Sequence, residues 1–497
     1  MFTNLRRKNL FFGLAIICSV IQTNLLAQIS KSLQIRDNRE LFVDQYLIEN
    51  FTHVQQKLHH PKNEGPVLYF DRKWEGNFSG YSTVIKDGDL YRLYYRGIRE
   101  VGNDGSESEV TCYAESRDGK VWVKPELGIH EMDGSAGNNI ILANAAPVTH
   151  NFSPFLDKNP NAKATERYKA LGGIKKSGLK AYISSDGIHW KILADQPVIT
   201  EGDFDSQNVA FWSETEKKYI CYLRSSAISP DKKKYRSVSR TTSEDFINWS
   251  KPEPMQFGDV PYDHLYTQQT SSYYRAPQIY IAIGARFMPG RQVVSDEQAA
   301  VLNVNSKYYK DCSDAIFMTT RGGNLYNRTF LESIIRPEIG LENWVSRSNY
   351  PALNIVETGA NEMSVYVNES YAQQGAHLKR YSMRIDGLVS AHAEMKEGYV
   401  ITKPIQFEGM ELEINYSTSA AGFVKVEILD TNGKPVPGFS KDDATEIIGN
   451  EIKRIVGWKT NQSVQALSGR PIRLKFYLKD ADLFSFKFIG LGRMTSN

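Results

Sequence analysis

The sequence predicts an all-β protein, a five-bladed β-propeller followed by a C-terminal β-sandwich domain. The chain of 497 residues is too long for one hydrophobic core, and its 27 Tyr and 23 Phe favour strands over helices. A short turn motif occurs five times, at intervals of about 60 to 80 residues, which is typical of a repeated supersecondary unit. After the last copy the motif is lost and strands alternate strictly, which predicts a different β domain.

The N-terminus has the features of a secretory signal peptide over residues 1–27. Three basic residues, Arg6 to Lys8, precede a short apolar run over 10–20, and Ala27 provides a small residue before a cleavage site at Gln28. The run is too short to span a bilayer, and no later segment reaches the required length of about 20 apolar residues. We therefore expect a secreted or periplasmic protein without a membrane-spanning part.

Charge and cysteine content exclude several classes of partner. The chain has 60 Lys+Arg and 57 Asp+Glu, and the three basic residues Arg6 to Lys8 lie in the signal peptide, so the mature chain is balanced and predicts no nucleic-acid binding. Cys112, Cys221 and Cys312 lie in apolar strand patterns and are expected to be buried free thiols. No Cys/His spacing suggests a zinc site. We expect no cofactor, and a structural cation at the propeller axis stays open.

The repeated motif is a Ser-x-Asp-Gly-x-x-Trp turn between two strands. Asp-Gly is a strong hairpin signal because both turn positions need positive φ, and the aromatic residue three positions later lies in the next strand, where it can pack between units. The copies, the last three of them degraded, are Ser116–Trp122, Ser184–Trp190, Ser243–Trp249, Thr320–Tyr326 and Arg384–Gly387. Five such hairpins, each with two more strands before it, predict a propeller. Unrelated hairpins are the alternative.

The predicted domains follow from these patterns. Residues 28–65 form an N-terminal strand segment that either closes the ring or covers a face. Residues 66–398 form the propeller, and the fourth strand of its first blade is expected at Val121–Lys124. Residues 399–497 form the sandwich, in which Asn432-Gly433 makes a tight turn.

The blade plan predicts a ligand pocket on one face of the propeller. Chain direction alternates along each blade, so this face receives the starts of first strands, the ends of second strands and the starts of third strands. The Asp-Gly turns then lie on the opposite face and have a structural role. Residues near these positions are predicted to bind substrate: Arg96, Asn151, Gln207, Asn208, Arg224, His264, Tyr266, Arg275 and Arg286.

Two carboxylates are predicted to be catalytic. Asp205 lies among polar residues at the start of the innermost strand of blade 3, which suits a base or nucleophile. Glu75 follows Trp74, and an apolar ring beside it would raise the carboxyl pKa and suit a proton donor. The structural alternative is that these acids only pair with arginines. Further candidates for the pair are Asp44, Glu109 and Asp314.

This combination of an export signal, five repeated hairpins and a C-terminal β domain resembles the sugar-cleaving five-bladed propeller superfamily, which includes invertase-like fructosidases, arabinofuranosidases and xylosidases. The resemblance covers most of the mature chain at the level of architecture and implies a glycan ligand. The Asn-Asp-Pro, Arg-Asp-Pro and Glu-Cys motifs of the invertase-like group are absent, so no catalytic residue is transferred from that group. The repeated turns also look like the structural Asp boxes of sialidases.

The leading hypothesis is therefore an exported glycoside hydrolase that cleaves a poly- or oligosaccharide with paired carboxylates at the propeller axis. The arginines at second-strand ends suggest an acidic or sulfated substrate, because guanidinium forks match such anions. Two alternatives stay open. One is a polysaccharide lyase acting on a uronate-containing glycan, with Arg286 or Arg275 neutralising the uronate and His264 and Tyr266 moving protons. The other is a glycan-binding propeller without catalysis.

Overall fold

The computed structural model of the chain describes residues 32–99 and 104–490. The chain divides into two compact units, residues 58–385 and residues 1–57 together with 386–497. The sequence places these boundaries at 65/66 and 398/399. The predicted signal peptide lies outside the described residues. No helix of the described ranges is long and apolar enough to cross a membrane.

The described elements are almost all strands. The N-terminal strands are β1 (Leu33–Arg36), β2 (Glu40–Leu41), β3 (Ile48–Thr52), β4 (Gln55–Leu58) and β5 (Lys62–Tyr69). Blade 1 contains β6 (Gly80–Asp87), β7 (Leu90–Ile98), β8 (Glu109–Ser116) and β9 (Ile140–Leu142). Blade 2 contains β10 (Ser153–Leu156), β11 (Tyr168–Gly172), β12 (Lys180–Ser184) and β13 (Lys191–Ile192). Blade 3 contains β14 (Val209–Ser213), β15 (Lys218–Ile228), β16 (Lys234–Ser243) and β17 (Glu253–Pro254).

The last two blades have interrupted first strands. Blade 4 contains β18 (His264–Thr267) and β19 (Thr270–Tyr273), followed by β20 (Ala276–Met288), β21 (Cys312–Thr320) and β22 (Ser333–Ile335). Blade 5 contains β23 (Tyr350–Pro351) and β24 (Val356–Gly359), followed by β25 (Glu362–Glu369) and β26 (His377–Arg384). The short helix α1 (Asp296–Val301) lies between β20 and β21, and single 3₁₀ turns cover Val148–His150, Ala164–Glu166, Leu341–Trp344 and Gln465–Leu467.

Strand β5 completes the fifth blade. It pairs antiparallel with β26, with Tyr69 opposite His377 and Lys62 opposite Ser382. The first and last parts of the propeller sequence therefore share one sheet, which removes the free edge that an open ring would leave. The five-bladed prediction is confirmed, and the ring is closed by the end of the N-terminal segment.

The outer edge of blade 1 differs from the prediction. The fourth strand is β9, 16 or more residues beyond the predicted Val121–Lys124. Val123 keeps only a bridge to Glu115, with backbone hydrogen bonds of 2.8 and 2.9 Å. The alternating segment after the turn thus forms only this bridge. The edge strand of the blade is β9, which follows the next loop.

The repeated turns have the geometry that the sequence predicts in their first three copies. Asp118, Asp186 and Asp245 each accept hydrogen bonds from the two backbone amides that start the return segment, and from a preceding serine hydroxyl. Each turn joins the third strand of its blade to this return segment, so all three turns lie on the face away from the second-strand ends. Gly187 has φ +76°, and a Cβ there would lie 2.5 Å from the Tyr94 hydroxyl.

The aromatic residues of the turns pack between blades, as predicted. Trp122 of blade 1 contacts Tyr366 of blade 5 with ring centroids 5.8 Å apart, and Trp190 of blade 2 contacts Tyr94 of blade 1 at 6.3 Å. The fifth copy of the motif is different, because Asp386 belongs to the other compact unit. It is buried there and accepts a hydrogen bond of 2.7 Å from Ser485. Assigning it to the propeller turns is wrong.

Asp245 gives a pH-dependent contribution to stability. Burial is the largest single effect and opposes its ionisation, but the hydrogen bonds from Asn248, Ile247 and Ser243 together outweigh burial and lower the carboxyl pKa from 3.8 to about 2. A carboxyl whose pKa falls on folding stabilises the protein above its unfolded pKa and loses that contribution as pH falls to its folded pKa. We expect Asp245→Asn to lower the Tm modestly at pH 6 and the difference from wild type to shrink between about pH 4 and pH 2. Thermal unfolding at several pH values measures this, with exposed Asp195→Asn as control. A difference independent of pH would contradict it.

The second unit is also all-β. It contains β1 to β4 and β27 (Val389–Ala393), β28 (Gly398–Thr402), β29 (Ile405–Phe407), β30 (Glu411–Leu429), β31 (Asn450–Ile455) and β32 (Arg473–Ile489). The long strands β30 and β32 pair along most of their length, with a register shift between Thr418 and Phe423. Aromatic residues such as Trp458, Phe476 and Phe486 lie in one core beneath them. Residues 32–57 thus belong to the C-terminal β domain.

All three described cysteines are free and buried, as predicted for Cys112, Cys221 and Cys312. Each lies in a central strand of its blade, where a small apolar side chain fits.

Candidate functional site

A loop at the start of blade 3 presents Asp205 at the propeller axis. Phe204 is fully buried and has a left-handed φ of +54°, which turns the chain before Asp205. The side-chain amides of Asn151 and Asn208 donate to the Phe204 and Ser206 carbonyls at 2.7–3.1 Å. Both amides are buried. Asn151 and Asn208, predicted to bind substrate, instead hold this loop.

Asp205 itself is accessible. Its side chain is 50% exposed, and Oδ2 lies 3.5 Å from Nη1 of Arg224. The Arg224 guanidinium also donates to the Asp205 carbonyl. The backbone amide of Arg224 donates to Asn208 Oδ1 at 3.0 Å. The guanidinium therefore ties the end of the second strand of blade 3 to the loop at its start. The structure brings together the two residues that the blade plan selects from this blade.

His150 lies beside Asp205, and its Nδ1 already has hydrogen-bonding neighbours in the protein. His150 Nδ1 lies 2.9 Å from Glu109 Oε1, and Arg96 Nη1 lies 3.2 Å from the same nitrogen. The carboxylate at the shorter distance assigns the proton to Nδ1, so that Nε2 carries the lone pair. His150 Nε2 is buried and has no hydrogen-bond partner in the described part of the chain. This nitrogen is free to accept a hydrogen bond from a ligand or water.

Asp104 forms a small group of oxygen and nitrogen donors with His150 and Asp205, which we call the axial group. One donor atom each from Asp104, His150 and Asp205 lies within 4.8 Å of the other two. Such a group can hold a metal ion, or it can place two carboxylates on either side of a reacting bond. Asp104 was missed from the sequence because it lies in a loop between strands rather than at a strand start.

Arginines and tyrosines surround this group. Tyr266 is contacted by the guanidinium groups of Arg224, Arg236 and Arg347, with distances to the ring centroid of 5.2, 5.6 and 5.2 Å. Arg347 also lies 5.1 Å from the Tyr308 ring centroid. Cations over aromatic faces are stabilised by the ring quadrupole. The predicted residue Tyr266 is thus the centre of a cationic wall.

The same wall extends to blade 1. Arg96 lies 4.6 Å from the Tyr81 ring centroid, and its Nη2 lies 3.5 Å from the Tyr371 hydroxyl. Burial raises the pKa of the Tyr81 and Tyr266 phenols; Asp205 adds to this and Arg347 opposes it. Both phenols therefore stay protonated at neutral pH and can donate hydrogen bonds.

One further carboxyl in this region has a perturbed pKa. Burial raises the pKa of Asp311, and this effect outweighs the Ser346 hydrogen bond and the nearby Arg347 and Arg236. A carboxyl with a raised pKa is better suited to proton donation than an ordinary aspartate. The sequence pointed to Asp314, three residues later, instead.

Glu75 lies in a different environment from the one predicted. It is 0% exposed, and its oxygens accept from Lys124 Nζ at 2.7 Å, the Tyr95 hydroxyl at 2.5 Å and the Arg72 amide at 2.9 Å. A carboxylate enclosed by three donors has no free oxygen for a substrate. The structure therefore makes Glu75 a structural ion-pair partner, and the predicted pairing of Glu75 with Asp205 is wrong.

Other predicted residues also have different roles. Asp314 forms a two-bonded ion pair with Arg286 at 2.9 and 2.6 Å, which satisfies both side chains. Gln207 is buried and donates to Thr83 Oγ1 at 2.9 Å, joining the innermost strands of blades 3 and 1. Arg275 lies in the turn between β19 and β20, at the end of blade 4 away from the pocket.

Asp44 belongs to the other compact unit. There its Oδ1 accepts a hydrogen bond of 3.0 Å from the Tyr46 amide. Of the predicted catalytic residues, Asp205 and Glu109 are thus the two that the structure brings to the axial group.

Two of the missed residues follow from the blade rule once the strand bounds are correct. Blade 1 begins at Gly80, so its first-strand start presents Tyr81 rather than Glu75. Blade 5 begins at Tyr350, so its first-strand start follows Arg347. The prediction started the first strand of blade 1 at Ser79, only one residue too early, but took its pocket residues from the segment before the strand, which selected the wrong side chains.

Comparisons with known proteins found similarity only among solved structures. No family model and no curated protein matches the chain. Similar structures include a glycoside hydrolase, with 11% identity over 65% of this chain and 92% of that chain at a TM-score of 0.44. An N-acetylgalactosamine deacetylase from F. plautii, solved with blood group B trisaccharide, has 13% identity over 68% and 97% at a TM-score of 0.42.

A third similar structure is a fructofuranosidase variant from Schwanniomyces occidentalis in complex with fructosylnystose. It has 11% identity over 86% of this chain and 98% of that chain, at a TM-score of 0.37. All three identities are too low to transfer an activity to this chain. The chemistry of the site is therefore derived from its own residues.

Proposed function

We propose that the protein is a glycoside hydrolase acting on an anionic poly- or oligosaccharide at the propeller axis. The observation that carries the proposal is the half-exposed Asp205 carboxylate, within 4.8 Å of Asp104 and His150 and enclosed by arginines and neutral phenols. Polar groups that converge on a small space, flanked by aromatic rings, are typical of a ligand site. The predicted signal peptide places this activity outside the cytoplasm, in a secreted or periplasmic protein.

Asp205 and Asp104 are the proposed carboxylate pair. Retaining glycosidases hold their two carboxyl groups about 5 to 5.5 Å apart, and inverting enzymes about 6.5 to 9.5 Å. One oxygen of Asp104 and one of Asp205 lie within 4.8 Å of each other, and we propose that the pair acts in the retaining manner. Asp205, ion-paired with Arg224, then attacks the anomeric carbon, and the more exposed Asp104 protonates the leaving oxygen. His150 Nε2 accepts a hydrogen bond from a sugar hydroxyl or from the hydrolytic water.

Two arginines support an anionic substrate. Within the described ranges, neither Arg236 nor Arg347 has an ion pair with a carboxylate at 4.0 Å or less, and both lie against Tyr266. A guanidinium held near a pocket without a partner favours an incoming carboxylate or sulfate, with which it can form two parallel hydrogen bonds. A uronate or a sulfated sugar supplies such a group.

The lyase alternative has weaker support. It places Arg286 or Arg275 beside the uronate, but Arg286 is ion-paired with Asp314 and Arg275 lies at the other end of blade 4. His264 and Tyr266 both lie near Arg236, which could neutralise a uronate in their place. A glycan-binding propeller without catalysis uses the same arginines and tyrosines and differs only in the absence of turnover.

Product analysis on a panel of acidic and neutral oligosaccharides tests the proposal. We expect new reducing ends without ultraviolet absorbance, and the same rate with and without EDTA, because the carboxylates act directly. Absorbance from an unsaturated product indicates a lyase, and binding without products indicates a non-catalytic propeller. Loss of activity in EDTA that a divalent cation restores would contradict the carboxylate mechanism and indicate a cation at Asp104, His150 and Asp205.

A further inference from the structure

A second cavity of about 330 Å³ lies beside the axial group, between blades 3 and 4. It is lined by the first residues of β16, by β17 and by the loop that leads from β17 to β18. The side chains that matter here are Tyr235, Arg236, Tyr262, Asp263 and Arg328. A volume of this size lies at the lower end of the range for small-molecule pockets and is enough for a sugar ring.

Three rings form a continuous row at this cavity. The centroids of Tyr262 and Tyr235 are 5.4 Å apart, and those of Tyr235 and His264 are 4.7 Å apart, with interplanar angles of 39° and 35°. Tyr262 is 46% exposed although it contacts Tyr235. An exposed tyrosine face that is held in place by a neighbouring ring offers a rigid apolar surface with little entropy left to lose.

His264 is the last ring of this row, in contact with Tyr235, and it lies outside the residues that line the cavity. The Arg236 amide donates to His264 Nδ1 at 3.3 Å, so the neutral ring carries its proton on Nε2. Burial, together with Arg236 and Arg224, lowers the pKa of His264, and the ring is neutral near pH 7. Its Nε2–H suits a sugar hydroxyl oxygen.

Arg236 connects the cavity to the axial group. Its guanidinium lies 4.8 Å from the Phe287 ring centroid and 5.6 Å from that of Tyr266, which Arg224 and Arg347 also contact. Its Nε is buried without a hydrogen-bond partner among the described residues. Arg328, on the other wall, is instead neutralised by Asp263 at 2.8 Å. Of these two cavity arginines, Arg236 is the one whose charge is left for a ligand.

We infer that this cavity is a second sugar subsite, which binds the residue adjacent to the one at Asp205 in an anionic glycan. The sugar ring packs on Tyr262 and Tyr235, and its carboxylate or sulfate pairs with Arg236. The inference rests on the proposed function for the position of the neighbouring residue. It adds that the substrate is at least a disaccharide and that its second residue carries the anionic group.

Chain-length dependence of binding tests the subsite. The probes are uronate and sulfated oligosaccharides, each as a series from one to four residues, titrated by calorimetry against the full chain carrying Asp205→Asn to prevent turnover. We expect affinity to rise about tenfold from one sugar residue to two. One aromatic surface and one charged contact account for a gain of this size. Adding Tyr262→Ala should remove most of that gain and leave monosaccharide affinity unchanged. Arg236→Lys keeps the charge but loses the planar fork, and it should weaken the preference for anionic over neutral disaccharides.

Tyr69→Ala is the matched control, because Tyr69 is similarly exposed at 50% but lies in β5 of blade 5. Tyr69→Ala should change neither the monosaccharide affinity nor the disaccharide affinity. Equal affinity for one and two residues in the parent, or equal losses for both in Tyr262→Ala, overturns the subsite while the proposed function stands. If no member of any series binds and none is hydrolysed by the wild-type chain, the proposed function and the subsite both fail.

Discussion

Asp205→Asn is expected to reduce turnover by about three orders of magnitude or more, which corresponds to about 4 kcal/mol of transition-state stabilisation. The carboxylate is half exposed, and its loop is held by backbone contacts to Asn151 and Asn208 rather than by its own side chain. The amide has nearly the same size, so folding and substrate affinity should change little. Steady-state kinetics, with thermal unfolding of the same preparations, measures this.

The matched variants are Asp104→Asn and Asp311→Asn. Asp104→Asn should reduce turnover strongly with poor leaving groups and only slightly with an activated aryl glycoside, since little protonation is then needed. Asp311→Asn should have a small effect. If Asp311→Asn instead shows the strong dependence on the leaving group and Asp104→Asn has the small effect, Asp311 is the general acid. Near-normal turnover in Asp205→Asn would remove the central residue of the proposed mechanism.

Lys124→Met is expected to destabilise the propeller by about 3 to 5 kcal/mol, the cost of leaving a buried charge without its partner. Glu75 is completely buried, and Lys124 Nζ is 2.7 Å from its Oε2. The side chain of Lys124 is itself 8% exposed, so solvent cannot replace the lost interaction. Denaturant unfolding measures the free-energy difference, and turnover per folded molecule should be unchanged.

The double variant Glu75→Gln/Lys124→Met is the control for this prediction. It removes both charges, so it should recover much of the stability that Lys124→Met alone loses. The single variant Glu75→Gln should likewise affect stability more than catalysis. A folded Glu75→Gln protein with normal stability and strongly reduced turnover would show that Glu75 acts in the reaction after all.

The sequence alone predicted the number of blades because the information is local. A Ser-x-Asp-Gly turn specifies its own hydrogen bonds within seven residues, as Asp118 and Asp186 do, and its aromatic residue marks the contact with the next blade. The selection of Asp205 also succeeded as a matter of placement, because a turn and a strand start adjoin it in sequence.

The composition of the site was decided by the tertiary structure. Asn151 became a support for Asp205 because its amide reaches carbonyls more than 50 residues away, and no local pattern shows this. Glu75 is enclosed by Lys124, and Tyr81 and Arg347 join the site instead, because a strand pattern does not show which side chains near a strand start face the pocket. Side-chain partners depend on which atoms long-range folding brings within about 3 to 4 Å, a distance shorter than one residue of strand register. Strand patterns predict positions only to within a few residues, so they define the face of the pocket but not the groups that react there.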